Sequence, residues 1–367
     1  MKKYIFPAFV IVCKIIFSPV IAQNLKPYFD KEEYKELLLV SAKTNTPDSI
    51  VFKIPPPEHH KMIYRSKVIG LDNRWDLWIN EENTIAVVSI RGTTGKIESS
   101  LENLYAAMVP AKGELVLSKT DTFKYCLVPD KKAAVHVGWL LSMALLSKDI
   151  VPKIDSLYKS GIKEIILMGH SQGGAINYLL TAYLYNLQQQ KKIPDDIRFK
   201  TYCSAAPKPG NLYFAYYYET ITGKWAYNVV NSADWVPETP VSIQTLDDFN
   251  ETNLFKDAGN QISKLRFPKN VILKRIYNKL DKPVKKAQRR YEKYLGEKTS
   301  KIIRKKFPDF SPPEYVKSNN YVRTGNTVVL YANEKYFKKF PENSRVISTH
   351  HNFDAYLFLL NDLELKN

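Results

Sequence analysis

Ser171 lies in Gly169-His170-Ser171-Gln172-Gly173. This pentapeptide joins an apolar run, Glu164 to Met168, to a segment from Gln172 to about Gln189 in which Ile176, Leu179, Leu180, Tyr183 and Leu187 recur at helical spacing. A serine between two glycines at a strand-to-helix junction can serve as a nucleophile. Gly169 and Gly173 permit a sharp turn and a close approach of helix to strand, so that a strained serine projects outward. The same letters also fit a structural serine at a strand end. The two readings part on whether the chain supplies the other groups that a serine nucleophile needs.

Those groups are a base to take the hydroxyl proton and a carboxylate to orient that base. In the α/β-hydrolase order the acid follows the nucleophile in the chain and the histidine follows the acid. Asp234, in NVVNSADWVPETP, falls in the turn after an apolar strand, at the sheet end where loops gather over the nucleophile. Asp247 and Asp248 compete with it, but they stand in a polar stretch with no strand before it. After Asp234 only His350 and His351 occur; His59, His60, His136 and His170 all come too early. On order alone, either of the adjacent pair can be the base. An oxyanion formed on attack also needs preorganised N–H donors. The backbone N–H of Gln172 is one, and Thr93, after Gly92 in VVSIRGTT, offers a second N–H together with a hydroxyl.

The elements that must hold these residues alternate. RWDLWIN and TIAVVSI around Glu81-Glu82-Asn83 read as a β-hairpin, followed by a helix from about His136 to Lys159, the Glu164–Met168 strand and the helix after Ser171. Strands follow near Phe199–Ser204 and Tyr227–Asn231, then NTVVLYA as a late strand and NFDAYLFLL as a closing helix. Such alternation predicts an α/β fold, a mostly parallel central sheet with helices on both faces.

A chain of 367 residues, 44% hydrophobic, can bury a full core. Lys2 and Lys3, the apolar Tyr4–Cys13 stretch and Val20-Ile21-Ala22 read as a signal peptide over 1–22, cleaved before Gln23, which implies export to a periplasm or the cell exterior. The remaining 23–367 read as one domain. Cys126 and Cys203 are too few for a disulfide scaffold, though they could form one bridge, and no zinc spacing, EF-hand or phosphate loop appears, so no metal or cofactor is implied. The net charge of +17 is concentrated: residues 264–306 hold seventeen Lys and Arg against Asp281, Glu292 and Glu297, which accounts for fourteen of it. Apolar residues there (Val271, Ile272, Ile276, Leu280, then Val284, Tyr291, Leu295, Ile302) predict two or three amphipathic helices broken near Pro283 and Gly296. This basic helical insertion, about 250–320, is either a solvated face or a surface for anionic lipid headgroups. Aromatic residues at helical core spacing and the lack of a known module argue against nucleic acid. No protein partner is implied.

Together VVSIRGT, VHVGW, LMGHSQGGA, SAAPKPGN, NVVNSADWVPETP and HNFDAY resemble, in order, the class 3 lipases, the fungal-lipase-like branch of the α/β-hydrolase fold, over roughly 70–240 and 345–360. The resemblance implies a serine ester hydrolase, a triacylglycerol lipase or related carboxylesterase acting on a lipid or other ester. Ser171, Asp234 and a histidine would be its triad, with Thr93 and Gln172 as the oxyanion hole. It favours His351 over His350, because Tyr356 follows His351 by five positions as in family members, and it makes His136 a structural support. It also suggests a lid over 99–113, with Leu101, Leu104, Tyr105, Met108 and Val109 as an apolar stripe; core packing of a short helix is the other reading. The 250–320 insertion departs from small family members. Rival readings are a phospholipase A-type activity on anionic lipids, a non-catalytic lipid-surface binder on a hydrolase shell, and a serine peptidase.

Overall fold

The structure, a computed structural model, describes residues 24–46, 54–343 and 345–363; the signal peptide expected at 1–22 lies outside the described residues. In chain order the first half runs α1 (Lys31–Asn45), β1 (His60–Arg65), β2 (Trp75–Asn80), β3 (Ile85–Ile90), α2 (Ile97–Leu104), β4 (Met108–Pro110), β5 (Lys112–Ser118), β6 (Asp121–Cys126), β7 (Ala134–His136), α3 (Val137–Lys159), β8 (Glu164–His170) and α4 (Gln172–Gln189). The second half runs β9 (Arg198–Ser204), α5 (Leu212–Thr222), β10 (Ala226–Asn231), α6 (Ala258–Ser263), α7 (Lys269–Glu292), α8 (Thr299–Lys306), β11 (Asn326–Leu330), α9 (Glu334–Lys339) and α10 (Phe353–Asp362).

Seven strands form one sheet in the order β1-β2-β3-β8-β9-β10-β11. The expected hairpin supplies the antiparallel β2–β3 pair, and from β3 onward every neighbour is parallel. β8 is central and buried along its whole length, which is why it reads as an unbroken apolar run instead of an alternating one. Its side chains still alternate. Ile165 and Leu167 pack with α3 and α4 residues such as Leu140 and Ile176, whereas Ile166 and Met168 pack with Leu37 and Val40 of α1 and Leu359 of α10. Helices thus cover both faces of a mostly parallel sheet, as in the α/β-hydrolase fold. Cys126 and Cys203 are both free thiols.

Two local expectations need correction. The insertion is not broken at Pro283: α7 runs through it and continues as a π turn, Lys293–Lys298, into α8. Proline removes one N–H from the helix ladder, and at an exposed position water can satisfy the carbonyl left over. Gly296 marks close packing instead of a break, because a Cβ there would lie 2.8 Å from Ala107 Cβ. The apolar stripe over 99–113 is not one helical face either. The chain leaves α2 after Leu104 and becomes a strand at Met108, so Tyr105, Met108 and Val109 are buried in the core, Leu101 is partly buried and Leu104 is about half exposed.

Candidate active site

Ser171 closes the turn between β8 and α4 with φ 61° and ψ −132°, a backbone state that costs an L-residue on the order of 1–3 kcal/mol. The glycines around it are a steric requirement. A Cβ on Gly169 would lie 2.3 Å from the Gly173 carbonyl carbon, and one on Gly173 would lie 2.2 Å from the Ile90 carbonyl oxygen. Gln172 opens α4, so its N–H belongs to the helix's first turn, where no intrahelical acceptor exists and the helix dipole favours negative charge.

His351, in the turn before α10, brings Nε2 to 2.8 Å from Ser171 Oγ and Nδ1 to 2.7 Å from Asp234 Oδ2. With Nδ1–H donating to the carboxylate, Nε2 is left as the acceptor for the serine hydroxyl. Asp234 follows β10 as expected, and its side chain is fully buried. Its Oδ1 accepts the Val236 N–H (3.0 Å), and its Oδ2 also accepts the Tyr356 hydroxyl (2.8 Å). His350 turns elsewhere: its Nδ1 is 2.8 Å from the Tyr336 hydroxyl. Asp248 caps its own turn by accepting from Thr245 N–H, and Asp247 pairs with Lys285, so neither competitor enters the site.

Several residues that hold this arrangement were not singled out for the role in the sequence. His170 donates from Nε2 to the His351 carbonyl (2.8 Å), and its Nδ1 accepts from Ser204 Oγ (2.9 Å), which is itself 2.6 Å from the Tyr34 hydroxyl. Burial and the neighbouring His351 keep the His170 pKa well below the usual histidine value, so it stays neutral and can keep both bonds. Asn103 Nδ2 donates to Thr93 Oγ1 (3.0 Å), and Asn45 Oδ1 accepts the Gly92 N–H (2.7 Å), which together fix the loop after β3. His136 caps α3, stacks on Trp139 and lies 3.2 Å from the Asn103 carbonyl through Nε2; burial pushes its pKa down to about 3, consistent with a support. The sequence hinted at Tyr356 only through its spacing from His351.

Thr93, Ser171, Gln172 and His351 line one cavity of about 600 Å³. The rest of its wall is largely apolar, including Leu104, Trp139, Trp235, Val236, Leu295 and Ile347. That combination can hold an acyl chain beside a polarised serine.

Behind the Gln172 side chain, Glu102 of α2 is fully buried. Asn73 Nδ2 donates to it (2.7 Å), and Ser99 Oγ beside it donates to Gln172 Oε1 (3.0 Å). Burial pushes the Glu102 carboxyl up to about 7, against the hydrogen bonds from its neighbours. The unfolded chain releases this proton near the ordinary carboxyl value while the folded chain keeps it. The stability contribution therefore falls as pH rises from about 4.5 to 7, by as much as about 3 kcal/mol. In Glu102→Gln the loss of stability between pH 5 and pH 8 is expected to be smaller than in the parent, as read by urea denaturation at both pH values. Parallel losses in the two proteins would reject this.

Residues 87–243 match the family described as Lipase (class 3). Over that stretch, a little under half of its length, the chain is similar to the class 3 lipases. A secreted mono- and diacylglycerol lipase of Malassezia globosa is 30% identical over 177 residues, or 46% of this chain and 51% of that protein. The chain thus matches about half the length of this curated relative. Among solved structures, the Rhizomucor miehei lipase–propeptide complex is 21% identical, covers 59% of this chain and 65% of its own, and has a TM-score of 0.45. Lipase II of Rhizopus niveus is 24% identical, covers 57% and 74%, and has a TM-score of 0.41. The matched region contains Thr93, Ser171, Gln172 and Asp234, whereas His351 and the basic insertion lie beyond it.

Proposed function

We propose that the protein is an exported serine ester hydrolase that cleaves acyl esters of glycerolipids through an acyl-enzyme. The observation that carries the reading is the hydrogen-bonded chain from Ser171 through His351 to Asp234, opening into an apolar cavity. Ser171 Oγ attacks the ester carbonyl as its proton passes to His351 Nε2, and Asp234 holds the resulting imidazolium. The backbone N–H groups of Thr93 and Gln172 receive the developing oxyanion, the largest single contribution in sites of this kind. Collapse breaks the ester C–O bond, and His351 returns its proton to the leaving alcohol. Water then attacks the acyl–Ser171 ester, giving a proton to His351, and the fatty acid leaves as the serine is restored.

An acyl substrate is supported by the apolar wall, and an extracellular setting by the signal-like residues 1–22 together with the secreted relative. A phospholipase A-type activity is the second reading, favoured by the basic segment 264–306. A fluorophosphonate probe is expected to label the protein at Ser171 and leave Ser171→Ala unlabelled. Mono-, di- and triacylglycerols, phospholipids and peptides, assayed side by side, then separate the readings. Glyceride hydrolysis is the expected result; labelling with peptide cleavage alone indicates a peptidase, and the absence of labelling indicates a binding protein.

A further inference from the structure

Helices normally bury their apolar stripe. α7 does the reverse: Ile272, Ile276 and Leu280, spaced at i, i+4 and i+8, are 55%, 50% and 69% exposed, and Phe267 just ahead of the helix is 82% exposed. Of its 24 residues only Gln288 is buried. This bare aliphatic row lies within the segment that carries seventeen cationic side chains. Among the described residues only two of these, Lys285 and Lys306, form ion pairs, so the charge is largely uncompensated.

The segment is tied to the cavity over Ser171. Tyr291 at the end of α7 and Leu295 in the π turn line the cavity wall, and the Leu295 carbonyl accepts the Ala107 N–H at 3.2 Å. Four further residues of the wall, Leu104, Trp235, Val241 and Ile347, are themselves exposed apolar groups. A basic helix with unburied aliphatic side chains thus continues into an apolar-rimmed opening.

We propose that residues 264–306 dock the protein on an anionic lipid bilayer, with lysines and arginines at the headgroup phosphates and Ile272, Ile276 and Leu280 inserted between headgroups, so that the cavity mouth is held against the same surface. This goes beyond the ester-hydrolase reading and does not depend on it, because docking needs no chemistry at Ser171. Charge complementarity selects an anionic partner, and the aliphatic row selects a bilayer over a nucleic acid, whose phosphates would contact the cations and leave the aliphatics in water. Long lysine and arginine stems let the charged ends reach the phosphates while the aliphatic side chains go deeper.

The test is sedimentation of Ser171→Ala protein with phosphatidylcholine vesicles, with and without phosphatidylglycerol. Using the inert variant keeps a failure of docking distinct from a failure of the ester-hydrolase reading. Binding is expected to be at least about tenfold tighter with the anionic lipid, and to weaken steeply as salt rises from about 0.05 to 0.5 M. Lys274→Glu/Arg275→Glu/Lys279→Glu should remove the preference for anionic lipid, and Ile272→Ser/Ile276→Ser should weaken binding several-fold, both with unchanged circular dichroism. If the charge variant fails to fold, the salt titration of the parent still decides. Equal binding to neutral and anionic vesicles, or binding insensitive to salt, would overturn the proposal. So would duplex DNA binding as tight as anionic vesicle binding and indifferent to Ile272→Ser/Ile276→Ser, which would make the segment a polyanion surface.

Discussion

Ser171→Ala is expected to lower kcat for p-nitrophenyl ester hydrolysis by about ten-thousand- to million-fold with its circular dichroism unchanged. The hydroxyl lost is the one 2.8 Å from His351 Nε2, and removing the nucleophile from an interdependent set costs about as much as removing the whole set. The N–H groups of Thr93 and Gln172 would remain and account for any residual rate. Ser171→Gly should be equally inactive yet more stable than the parent by about 1 kcal/mol, because glycine accepts φ 61° without the penalty serine bears. Loss of activity with a gain in melting temperature would identify the backbone strain as part of the site. Ester hydrolysis by Ser171→Ala above about a tenth of the parent rate would remove the serine from the mechanism.

The adjacent histidines should behave very differently. His351→Ala is expected to cost about as much as the serine change, since it removes both the proton acceptor and the group that Asp234 orients. His350→Ala loses a hydrogen bond to the Tyr336 hydroxyl, remote from Ser171 Oγ. That bond is worth about 1 kcal/mol of stability, and the effect on kcat should stay within about tenfold. Steady-state kinetics on the two variants, with melting temperatures alongside, separates the roles. The opposite ranking would reassign the base.

The framework of the site could be read from the sequence because sterics enforce it. A fully buried central strand must be continuously apolar, and the glycines that flank Ser171 are positions where any Cβ would overlap backbone. The likeness to the class 3 lipases and the mostly parallel sheet followed from the same stretches. The supporting polar contacts could not be read, because each depends on two segments meeting across long chain separations. Asn45 reaches Gly92 over 47 residues, Tyr356 reaches Asp234 over 122, and His170 reaches the His351 carbonyl over 181. His170 was set aside as a base because it precedes Asp234, yet it fastens the backbone of the histidine that does approach Ser171. The break expected at Pro283 failed because local preference was outweighed, whereas over 99–113 Tyr105, Met108 and Val109 are packed in the core, as the second reading had it. A proline that marks a break in an isolated peptide sits on a solvated helix face, and apolar residues at helical spacing are divided between a helix and the strand that follows it.

The order in which the parts emerge during synthesis has a consequence of its own. Ser171 and Asp234 belong to β8–α4 and the turn after β10, while His351 follows the entire basic insertion and β11. A nascent chain stopped before residue 345 carries Ser171 and Asp234 but not His351. Parallel strands far apart in sequence also pair late, because the loops between them must close first. The 2.8 Å contact between His351 Nε2 and Ser171 Oγ can therefore form only after nearly the whole chain has been made.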